Sequence, residues 1–214
     1  MLLLNGIGIR VDMNMGIFVA VDGPDGVGKS KIVSELCNKL KSSGYDVFST
    51  KETSSGPIGT LIKNNEFNSV ILAELIAADR LYHIENEILP ALSSGKIVIS
   101  DRYVASSYVC QQLDGVPLDF IKCINSLIIS PDLSIFISAD ISTISKRLSE
   151  RPYLTRMEKI STQKMISLYN EAVVLFKEND YGKILELVNN DINDLNSNVE
   201  IIYREIMALL GDAI

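Results

Sequence analysis

The sequence predicts one α/β domain with three layers, in which helices cover both faces of a five-stranded parallel sheet. Short apolar runs rich in β-branched residues alternate along the 214 residues with longer stretches of helical periodicity. A glycine-rich loop also joins the first apolar run to the first helical stretch. Alternating strands and helices imply parallel strands, because right-handed crossovers return the chain to the same end of the sheet.

The composition is typical of a globular chain that folds as one domain. Hydrophobic residues make up 47% of the sequence and charged residues 22%, which allows a sizeable core. The net charge of −7 argues against nucleic-acid and membrane partners, so phosphate binding requires a local cluster of cations. Three cysteines without metal-type spacing suit free thiols in a reducing cytoplasm. We expect residues 1–14 to form an N-terminal extension and residues 15–214 to form the domain.

Residues 23–30 fit the phosphate-binding pattern G-x-x-x-x-G-K-[ST] at every fixed position. They follow a predicted strand at 17–22 and precede a helical stretch, so backbone N–H groups and a helix dipole converge on one point. We expect Lys29 to reach the β- and γ-phosphates of ATP and Ser30 to hold Mg²⁺. The predicted nucleotide-binding residues are Gly23, Pro24, Asp25, Gly26, Val27, Gly28, Lys29, Ser30 and Lys31.

The elements up to residue 100 follow from periodicity and turn signals. Apolar residues at three- and four-residue spacing predict a helix from Lys31, and Gly44 stops it. β-Branched and aromatic runs predict strands, whereas Gly, Pro and Ser clusters predict loops. In chain order these elements are a strand at 45–50, a loop at 51–57, helices at 58–65 and 69–92, and a strand at 96–100.

The second half of the chain repeats the alternation of helices and strands. Its strands are short apolar runs, and its helices carry apolar residues on one face. A basic, proline-containing turn at 151–156 interrupts the pattern. The predicted elements are helices at 104–112 and 117–129, a strand at 132–139, helices at 141–149 and 157–178, a strand at 183–188 and a helix at 192–210.

Ligands of such sheets bind beyond the carboxyl ends of the strands. This edge brings together Asp22, Lys51, Asp101 and Arg102, each at the end of a predicted strand. The carboxylate of Asp101 is, with Ser30, a predicted ligand of Mg²⁺.

Kinases, ATPases and GTPases all share a phosphate-binding loop, so the positively charged residues elsewhere in the sequence have to discriminate among these activities. A phosphate acceptor is already nucleophilic at neutral pH, so its reaction needs charge neutralisation and in-line alignment rather than a general base. The cations therefore favour phosphate-to-phosphate transfer over attack by a hydroxyl or by water. A solvated or ion-paired helix residue remains the alternative for Arg80, and ordinary surface charge in a turn remains the alternative for Arg151 and Arg156. The cations considered are Lys29, Lys51, Arg80, Arg102, Arg147, Arg151 and Arg156.

Further motifs accompany the phosphate-binding loop. They are Asp22-Gly-Pro-Asp-Gly-Val-Gly-Lys-Ser, Ala77-Ala-Asp-Arg80, Asp101-Arg-Tyr-Val-Ala-Ser-Ser, Gly115-Val-Pro-Leu-Asp, Pro131-Asp-Leu, and the spacing of Arg147, Arg151 and Thr155-Arg156-Met157-Glu158. Together these motifs resemble those of the thymidylate kinases over about residues 16–190. The resemblance implies a three-layer P-loop kinase fold with a short lid at about 150–157, and transfer of the γ-phosphate of Mg-ATP to dTMP. It also implies a cytoplasmic homodimer that associates through helix faces, with 69–92 as the candidate surface.

The resemblance also implies roles for individual residues. Asp25 resembles the loop acid that helps to fix the acceptor sugar and phosphate, and Arg102 the arginine that holds the acceptor phosphate. Arg80 resembles the arginine that touches the pyrimidine base. Because Val27 leaves the loop without an arginine, the lid arginines Arg151 and Arg156 would act on the transferring group. The expected catalytic residues are Asp25, Lys29, Arg102, Arg151 and Arg156; the expected substrate-binding residues are Asp22, Asp25, Lys51, Ile76, Arg80, Arg102, Ser106, Ser107, Cys110 and Gln111.

The positions at which this sequence departs from the family pattern lie outside the phosphate-binding loop, and most of them are expected to contact the acceptor substrate. Asp22 stands where glutamate is usual, Ile76 where many members have a base-stacking phenylalanine, and Cys110 where many have an aromatic residue beneath the sugar. Thr155 replaces a lid aspartate. The alternatives are a kinase for another nucleoside monophosphate such as dUMP, a nucleoside kinase, or a non-enzymatic nucleotide-dependent switch.

Overall fold

A computed structural model describes residues 16–155, 157–179 and 181–211. Within them, five apolar runs form strands, as their β-branched composition predicts. The strands are β1 (Phe18–Asp22), β2 (Val47–Lys51), β3 (Ile97–Asp101), β4 (Leu133–Ser138) and β5 (Lys183–Val188). All neighbouring strands are parallel, and their order across the sheet is β2-β3-β1-β4-β5. The predicted five-stranded parallel sheet is therefore confirmed.

Helices connect the strands and form the two outer layers. They are α1 (Lys29–Ser42), α2 (Pro57–Asn64), α3 (Ser69–His83), α4 (Leu89–Ser93), α5 (Val104–Leu113), α6 (Leu118–Ile124), α7 (Ile141–Ser149), α8 (Thr162–Glu178) and α9 (Ile192–Leu210). Apolar residues of α1, α7 and α9 pack on one face of the sheet, whereas those of α3, α4, α5 and α8 pack on the other. The predicted α/β fold with three layers is thus confirmed.

Strand β1 lies at the centre of the sheet and is buried on both faces. Val19 and Val21 belong to the core under α1 and α9, and Phe18 and Ala20 belong to the core under α3, α5 and α8. Side chains alternate between the faces of a strand, so a continuous apolar run is what a strand covered on both sides requires. The phosphate-binding loop follows the carboxyl end of β1 and therefore lies at the centre of that edge of the sheet.

The helix predicted at 69–92 is interrupted in the structure. Helix α3 ends at His83, a π-helical turn covers Ile84–Ile88, and α4 begins at Leu89. The backbone N–H of Leu89 donates to the carbonyl oxygen of Ile84, five residues earlier. Pro90 supplies the physical reason, because proline lacks an N–H and its ring crowds the carbonyl group four residues before it.

Two other predicted helices are shorter than expected. Helix α6 ends at Ile124 rather than at residue 129, because the side chain of Asn125 turns back to donate to the carbonyl oxygen of Ile121 at 2.8 Å. The helix predicted at 157–178 begins only at Thr162 and is preceded by a separate 3₁₀ turn, Met157–Lys159. At the end of α6, the side-chain bond of Asn125 competes with the helical ladder.

Two predictions fall partly or wholly outside the described residues. They concern the N-terminal extension at 1–14 and the lid residue Arg156, and the division into extension and domain therefore stays a prediction. Among the helices of the described residues, none has the length and apolar character needed to cross a bilayer.

Candidate functional site

The phosphate-binding loop connects β1 to α1 and packs tightly against two other segments. Gly23 has a φ of 145° and Gly28 a φ of 93°. A Cβ atom would meet the carbonyl oxygen of Ile137 at 2.1 Å at the first position, and Nδ2 of Asn189 at 2.6 Å at the second. Only glycine fits either position. The close packing therefore fixes the path of the loop into the N-terminus of α1, where a phosphate binds favourably.

Carbonyl groups of the loop are held by α7 and by the segment after β5. Arg147 Nη1 donates to the carbonyl oxygens of Gly26 and Val27, each at 3.2 Å. The same guanidinium binds the carbonyl oxygens of Asn189 and Asn190, each at 2.9 Å. Asn189 Nδ2 also donates to the Val27 carbonyl oxygen at 2.7 Å. Because a trans peptide directs its C=O and N–H in opposite directions, these bonds turn the following N–H groups away from Arg147.

Lys29 is buried inside the loop that precedes it. Its Nζ atom donates to the carbonyl oxygen of Pro24 at 2.7 Å. Burial lowers the pKa of Lys29 to about 8, and repulsion from Arg102 adds to this effect, while Asp25 and Asp101 oppose it. An anion in the loop would therefore stabilise the charged form of this lysine.

Ser30 and Asp101 meet at the carboxyl ends of β1 and β3. Ser30 Oγ donates to Asp101 Oδ2 at 2.5 Å. A hydroxyl and a carboxylate are oxygen ligands of the kind that Mg²⁺ takes together with nucleotide phosphates and water. Over the described residues, no group of three or more His, Cys, Asp or Glu side chains is placed to hold a metal. A Mg²⁺ ion at Ser30 and Asp101 would accordingly depend on a bound nucleotide for its remaining ligands.

Arg102 faces the phosphate-binding loop from the end of β3. Its backbone is left-handed, with a φ of 77°, which costs a non-glycine residue about 1–2 kcal/mol. Two bonds hold it there: its N–H donates to the carbonyl oxygen of Val21 at 2.9 Å, and Ser100 Oγ donates to its carbonyl oxygen at 2.7 Å. The guanidinium forms an ion pair with Asp25. Burial would lower the pKa of Arg102, but the neighbouring acidic groups, Tyr169 and Asp25 first among them, together raise it.

Ser106 links Arg102 to the buried carboxylate of Asp22. Its hydroxyl donates to Asp22 Oδ1 at 2.5 Å and accepts from Arg102 Nη1 at 3.2 Å. Burial raises the pKa of Asp22, while Ser106 and Arg102 oppose this shift. The structure therefore brings together three predicted substrate-binding residues, of which Asp22 and Ser106 are buried and Arg102 is partly exposed.

Arg80 lies in a buried ion pair and is only 1% exposed. Its Nε donates to the two carboxylate oxygens of Glu52 at 2.8 and 3.0 Å, and its Nη2 donates to Ser107 Oγ at 2.7 Å. Nη1 donates to Asn125 Oδ1, and the guanidinium lies 5.5 Å from the ring centroid of Tyr103. The ion-pair alternative for Arg80 is thus present in the structure, and its contact with a base stays a prediction.

Three predicted substrate-binding residues lie on the helices beside this ion pair. Gln111 is 2% exposed, and within the described residues neither Oε1 nor Nε2 has a hydrogen-bond partner. Buried polar groups are normally paired, because each unpaired one costs about 1–3 kcal/mol. Cys110 is partly buried, and burial raises the pKa of its thiol to about 11. The positive charge of Arg102 opposes this rise. Ile76 is partly buried one turn before Arg80 on α3.

The lid is held by the carboxylate of Glu158, which belongs to one of the sequence motifs but had no predicted role. Glu158 Oε2 accepts from the backbone N–H of Thr155 at 2.7 Å, and the N–H of Glu158 donates to Thr155 Oγ1 at 3.3 Å. This reciprocal pair has the pattern of a capping box, which explains the separate 3₁₀ turn here. Arg151 forms an ion pair with the other oxygen of Glu158.

Two clefts flank the phosphate-binding loop. Lys51, Ser30 and Asp101 share the second of them, which places Lys51 near the predicted metal ligands. The first cleft, of about 330 Å³, is lined by Gly26, Gly28, Lys31, Arg147, Arg151, Asn189, Asp191, Ile192 and Leu195. The second cleft, of about 420 Å³, is lined by Ser30, Val33, Phe48, Ser49, Thr50, Lys51, Ser55, Glu87 and Asp101.

Sequence reasoning missed several residues that shape the site. Glu52 had a signal, because it directly follows Lys51 at the end of a strand. Glu158 also had one, since Thr155 and Glu158 have the spacing of a capping box. Tyr169 and Asn189 had none, because a tyrosine in an amphipathic helix and an asparagine in a turn have ordinary structural explanations.

Comparisons of this chain with a family model and with individual proteins all point to the same family. A family model described as thymidylate kinase matches residues 21–199. A probable thymidylate kinase from Caldivirga maquilingensis is 37% identical over 194 residues, which cover 87% of this chain and 94% of the relative. One from Pyrococcus horikoshii is 32% identical, with 91% and 99% of the two chains covered. A thymidylate kinase from Finegoldia magna is 32% identical, with 91% and 97% covered.

The Arg80–Glu52 pair generates a prediction about stability. We expect Arg80→Met to lower the free energy of unfolding by about 3–5 kcal/mol at neutral pH, because it leaves a buried carboxylate unpaired. Burial already raises the pKa of Glu52, and Arg80 opposes that shift, so the variant should hold a proton on Glu52 that the unfolded chain releases. Stability of the variant should therefore fall as pH rises above about 4.5. Urea unfolding between about pH 5 and about pH 8 measures this.

The double variant Glu52→Gln/Arg80→Met is the matched control. It removes both charges, so its loss of stability should be nearly the same at both ends of the pH range. A single variant Arg80→Met with no pH dependence would show that Glu52 is not the group that Arg80 neutralises.

Proposed function

Because this chain belongs to the thymidylate kinase family, we propose that it transfers the γ-phosphate of Mg-ATP to dTMP, giving ADP and dTDP. One observation of the site carries this proposal: the guanidinium of Arg102 faces the phosphate-binding loop, paired there with Asp25. A cation in this position suits an acceptor that brings its own negative charge.

The reaction needs alignment and charge neutralisation more than proton transfer. An oxygen of the dTMP phosphate attacks the γ-phosphorus of ATP, and the bond to the oxygen that bridges the β- and γ-phosphates breaks. Lys29 neutralises the β- and γ-phosphates, and Arg102 holds the attacking phosphate. Ser30 and Asp101 would hold Mg²⁺, which supplies further positive charge to the phosphates. A phosphate is already a nucleophile at neutral pH, so Asp25 positions Arg102 and the acceptor and need not act as a general base.

The carboxamide of Gln111 supports a pyrimidine as the acceptor base. Its unpaired Oε1 and Nε2 offer one acceptor and one donor side by side. The N3–H and the neighbouring carbonyl oxygen of thymine or uracil present the complementary pair. Ser107, one turn earlier on α5, already binds Arg80 and so connects this position to the buried ion pair.

Two small side chains are expected to weaken the selection of sugar and base. Cys110 has less bulk than the aromatic residue that many family members carry, so a ribose 2′-hydroxyl should meet a weaker steric barrier. Ile76 offers apolar contact without aromatic stacking, so dUMP should be a second substrate. We therefore propose that the enzyme discriminates only weakly between deoxyribose and ribose and between thymine and uracil.

The lid is proposed to supply charge to the transferring phosphate when it closes. Arg151 lines the same cleft as Lys31, although its guanidinium is paired with Glu158 in this structure. Exchange of Glu158 for a phosphate would move the charge of Arg151 to the donor nucleotide. Arg156 is proposed to act with it on the grounds of the family resemblance.

The chain is also proposed to be a homodimer in the cytoplasm. Large apolar side chains are exposed on neighbouring helices α2 and α3: Leu61 is 44% exposed, Val70 48% and Ile71 45%. A second copy of the chain would cover these side chains. The three cysteines are free thiols, which suits a reducing compartment.

An acceptor panel with Mg-ATP tests the activity. We expect turnover with dTMP, measurable turnover with dUMP, and roughly ten-fold lower kcat/KM for the ribose form of TMP, because a steric gate contributes about 1–3 kcal/mol. Cys110→Tyr should increase the discrimination against ribose. Purified Lys29→Ala is the control for contaminating kinases and should be nearly inactive.

Other results would favour the alternatives. A preference for thymidine over dTMP indicates a nucleoside kinase, and ATP turnover that no acceptor stimulates indicates a switch. If wild-type protein already rejects ribose by more than about a thousand-fold and Cys110→Tyr changes nothing, position 110 does not select the sugar.

Arg151→Ala tests the lid. We expect kcat to fall by roughly ten- to thousand-fold with a smaller change in the KM for dTMP, because the arginine would act mainly in the transition state. The control is Lys159→Ala, which removes an exposed positive charge from the same segment. If the kcat of Arg151→Ala equals that of Lys159→Ala and of wild-type protein, Arg151 is an ordinary surface residue with no role in catalysis.

Ile71→Lys tests assembly. Light scattering at micromolar concentration should give a dimer mass for wild-type protein and a monomer mass for the variant, because a charge on an apolar contact is costly to bury. Leu209→Lys on α9 is the control, since Leu209 is 40% exposed but lies on another helix. A monomeric wild-type protein contradicts the proposed dimer.

A further inference from the structure

The hydroxyl of Tyr169 contacts the arginine that faces the phosphate-binding loop. Tyr169 lies on α8 and is 4% exposed. Its Oη atom is 3.4 Å from Arg102 Nη1 and 3.1 Å from Ser106 Oγ, and those two atoms are themselves 3.2 Å apart. Three polar groups from α8, α5 and the end of β3 thus form a closed triangle.

The direction of each hydrogen bond follows from the available protons. Ser106 has one hydroxyl proton and donates it to Asp22 Oδ1 at 2.5 Å. Tyr169 must therefore be the donor toward Ser106 Oγ. Arg102 Nη1, which only donates, shares its protons between the two hydroxyl oxygens. Burial raises the pKa of the Tyr169 hydroxyl above its usual range, so this proton is retained at neutral pH.

The two edges of the Arg102 guanidinium have different partners. Nη1 binds the neutral hydroxyl groups of Ser106 and Tyr169, both buried. Nη2 pairs with the carboxylate of Asp25, whose side chain is 22% exposed at the open side of the site. An incoming phosphate can therefore reach the Nη2 edge without disturbing the Nη1 edge.

We propose that Tyr169 is a positioning residue, whose hydroxyl fixes the Nη1 edge of Arg102 so that the Nη2 edge meets the acceptor phosphate. This inference rests on the proposed transfer to dTMP and deepens it. The hydroxyl is proposed to act through Arg102, which it contacts directly. A phenylalanine would keep the apolar packing of Tyr169 in the core under α5 and α8. It would leave the Nη1 edge of Arg102 with Ser106 as its one remaining partner, while Nη2 stays paired with Asp25.

Tyr169→Phe tests the inference through two ligands that differ by one phosphate. Calorimetry should show that the variant binds dTMP about ten-fold more weakly than wild-type protein, as the loss of one hydrogen bond to a charged group implies. Its affinity for thymidine should be unchanged, because thymidine has no phosphate for Arg102 to hold. In turnover, the KM for dTMP should rise while the KM for ATP stays within about two-fold.

Tyr181→Phe is the matched control. It removes a hydroxyl that lies 2.8 Å from the hydroxyl of Tyr108, in the same core but away from Arg102. We expect its dTMP and thymidine affinities to equal those of wild-type protein. Melting temperatures of both variants check that each is folded at the temperature of the measurement.

A double-mutant cycle tests whether Tyr169 acts through Arg102. Tyr169→Phe should add nothing to the loss of dTMP affinity in an Arg102→Ala background. Additive losses would overturn the inference, as would unchanged dTMP affinity in Tyr169→Phe, or equal losses for dTMP and thymidine. If wild-type protein does not phosphorylate dTMP, the proposed function fails and this inference fails with it. Normal wild-type turnover with an unaffected Tyr169→Phe variant overturns the inference alone.

Discussion

The backbone of the phosphate-binding loop is the constraint on which the other parts of the site depend. Its carbonyl groups have to point outward so that its N–H groups are available to an anion. Arg147 and Asn189 bind the carbonyl oxygens of Gly26 and Val27, and the side chain of Lys29 binds that of Pro24. The segment after β5 therefore contributes to the phosphate site even though it contains none of the loop residues.

Paired charges are the second feature of the site. Arg102 is paired with Asp25 and Arg151 with Glu158, so these two candidate phosphate-binding arginines have a carboxylate partner in this structure. Both arginines are partly exposed, so a phosphate can take the place of the carboxylate and keep each guanidinium paired. The site can therefore hold a cluster of cations within a chain of net charge −7.

The family assignment and the geometry bear on different questions. The match over residues 21–199 assigns the chain to the thymidylate kinases, and the sheet order and the loop agree with it. The selectivity that we propose depends on the few positions that depart from the family pattern, such as Ile76 and Cys110, and on the unpaired carboxamide of Gln111. The chemistry is therefore the better supported part of the proposed function, because it depends on residues that match the family pattern.

The sequence alone determined the five strands, most of the helices and the phosphate-binding loop. These features depend on local spacing: apolar periodicity, turn residues and a contiguous motif each extend over a few residues. Local spacing also placed Asp22, Asp101 and Arg102 at one edge, since parallel strands end on the same side of the sheet. Pro90 was readable as well, although its effect, a π-helical turn rather than a continuous helix, was not predicted.

Only the tertiary structure decided which side chains form hydrogen bonds with the candidate site residues. Arg80 meets Glu52 across 28 residues of sequence, Arg102 meets Tyr169 across 67, and Val27 meets Asn189 across 162. The sequence can mark one member of such a pair, as the strand end marks Glu52, but it does not show which distant residue is the partner. Their contact exists only because the sheet order brings separate segments to the same edge, which local spacing does not encode.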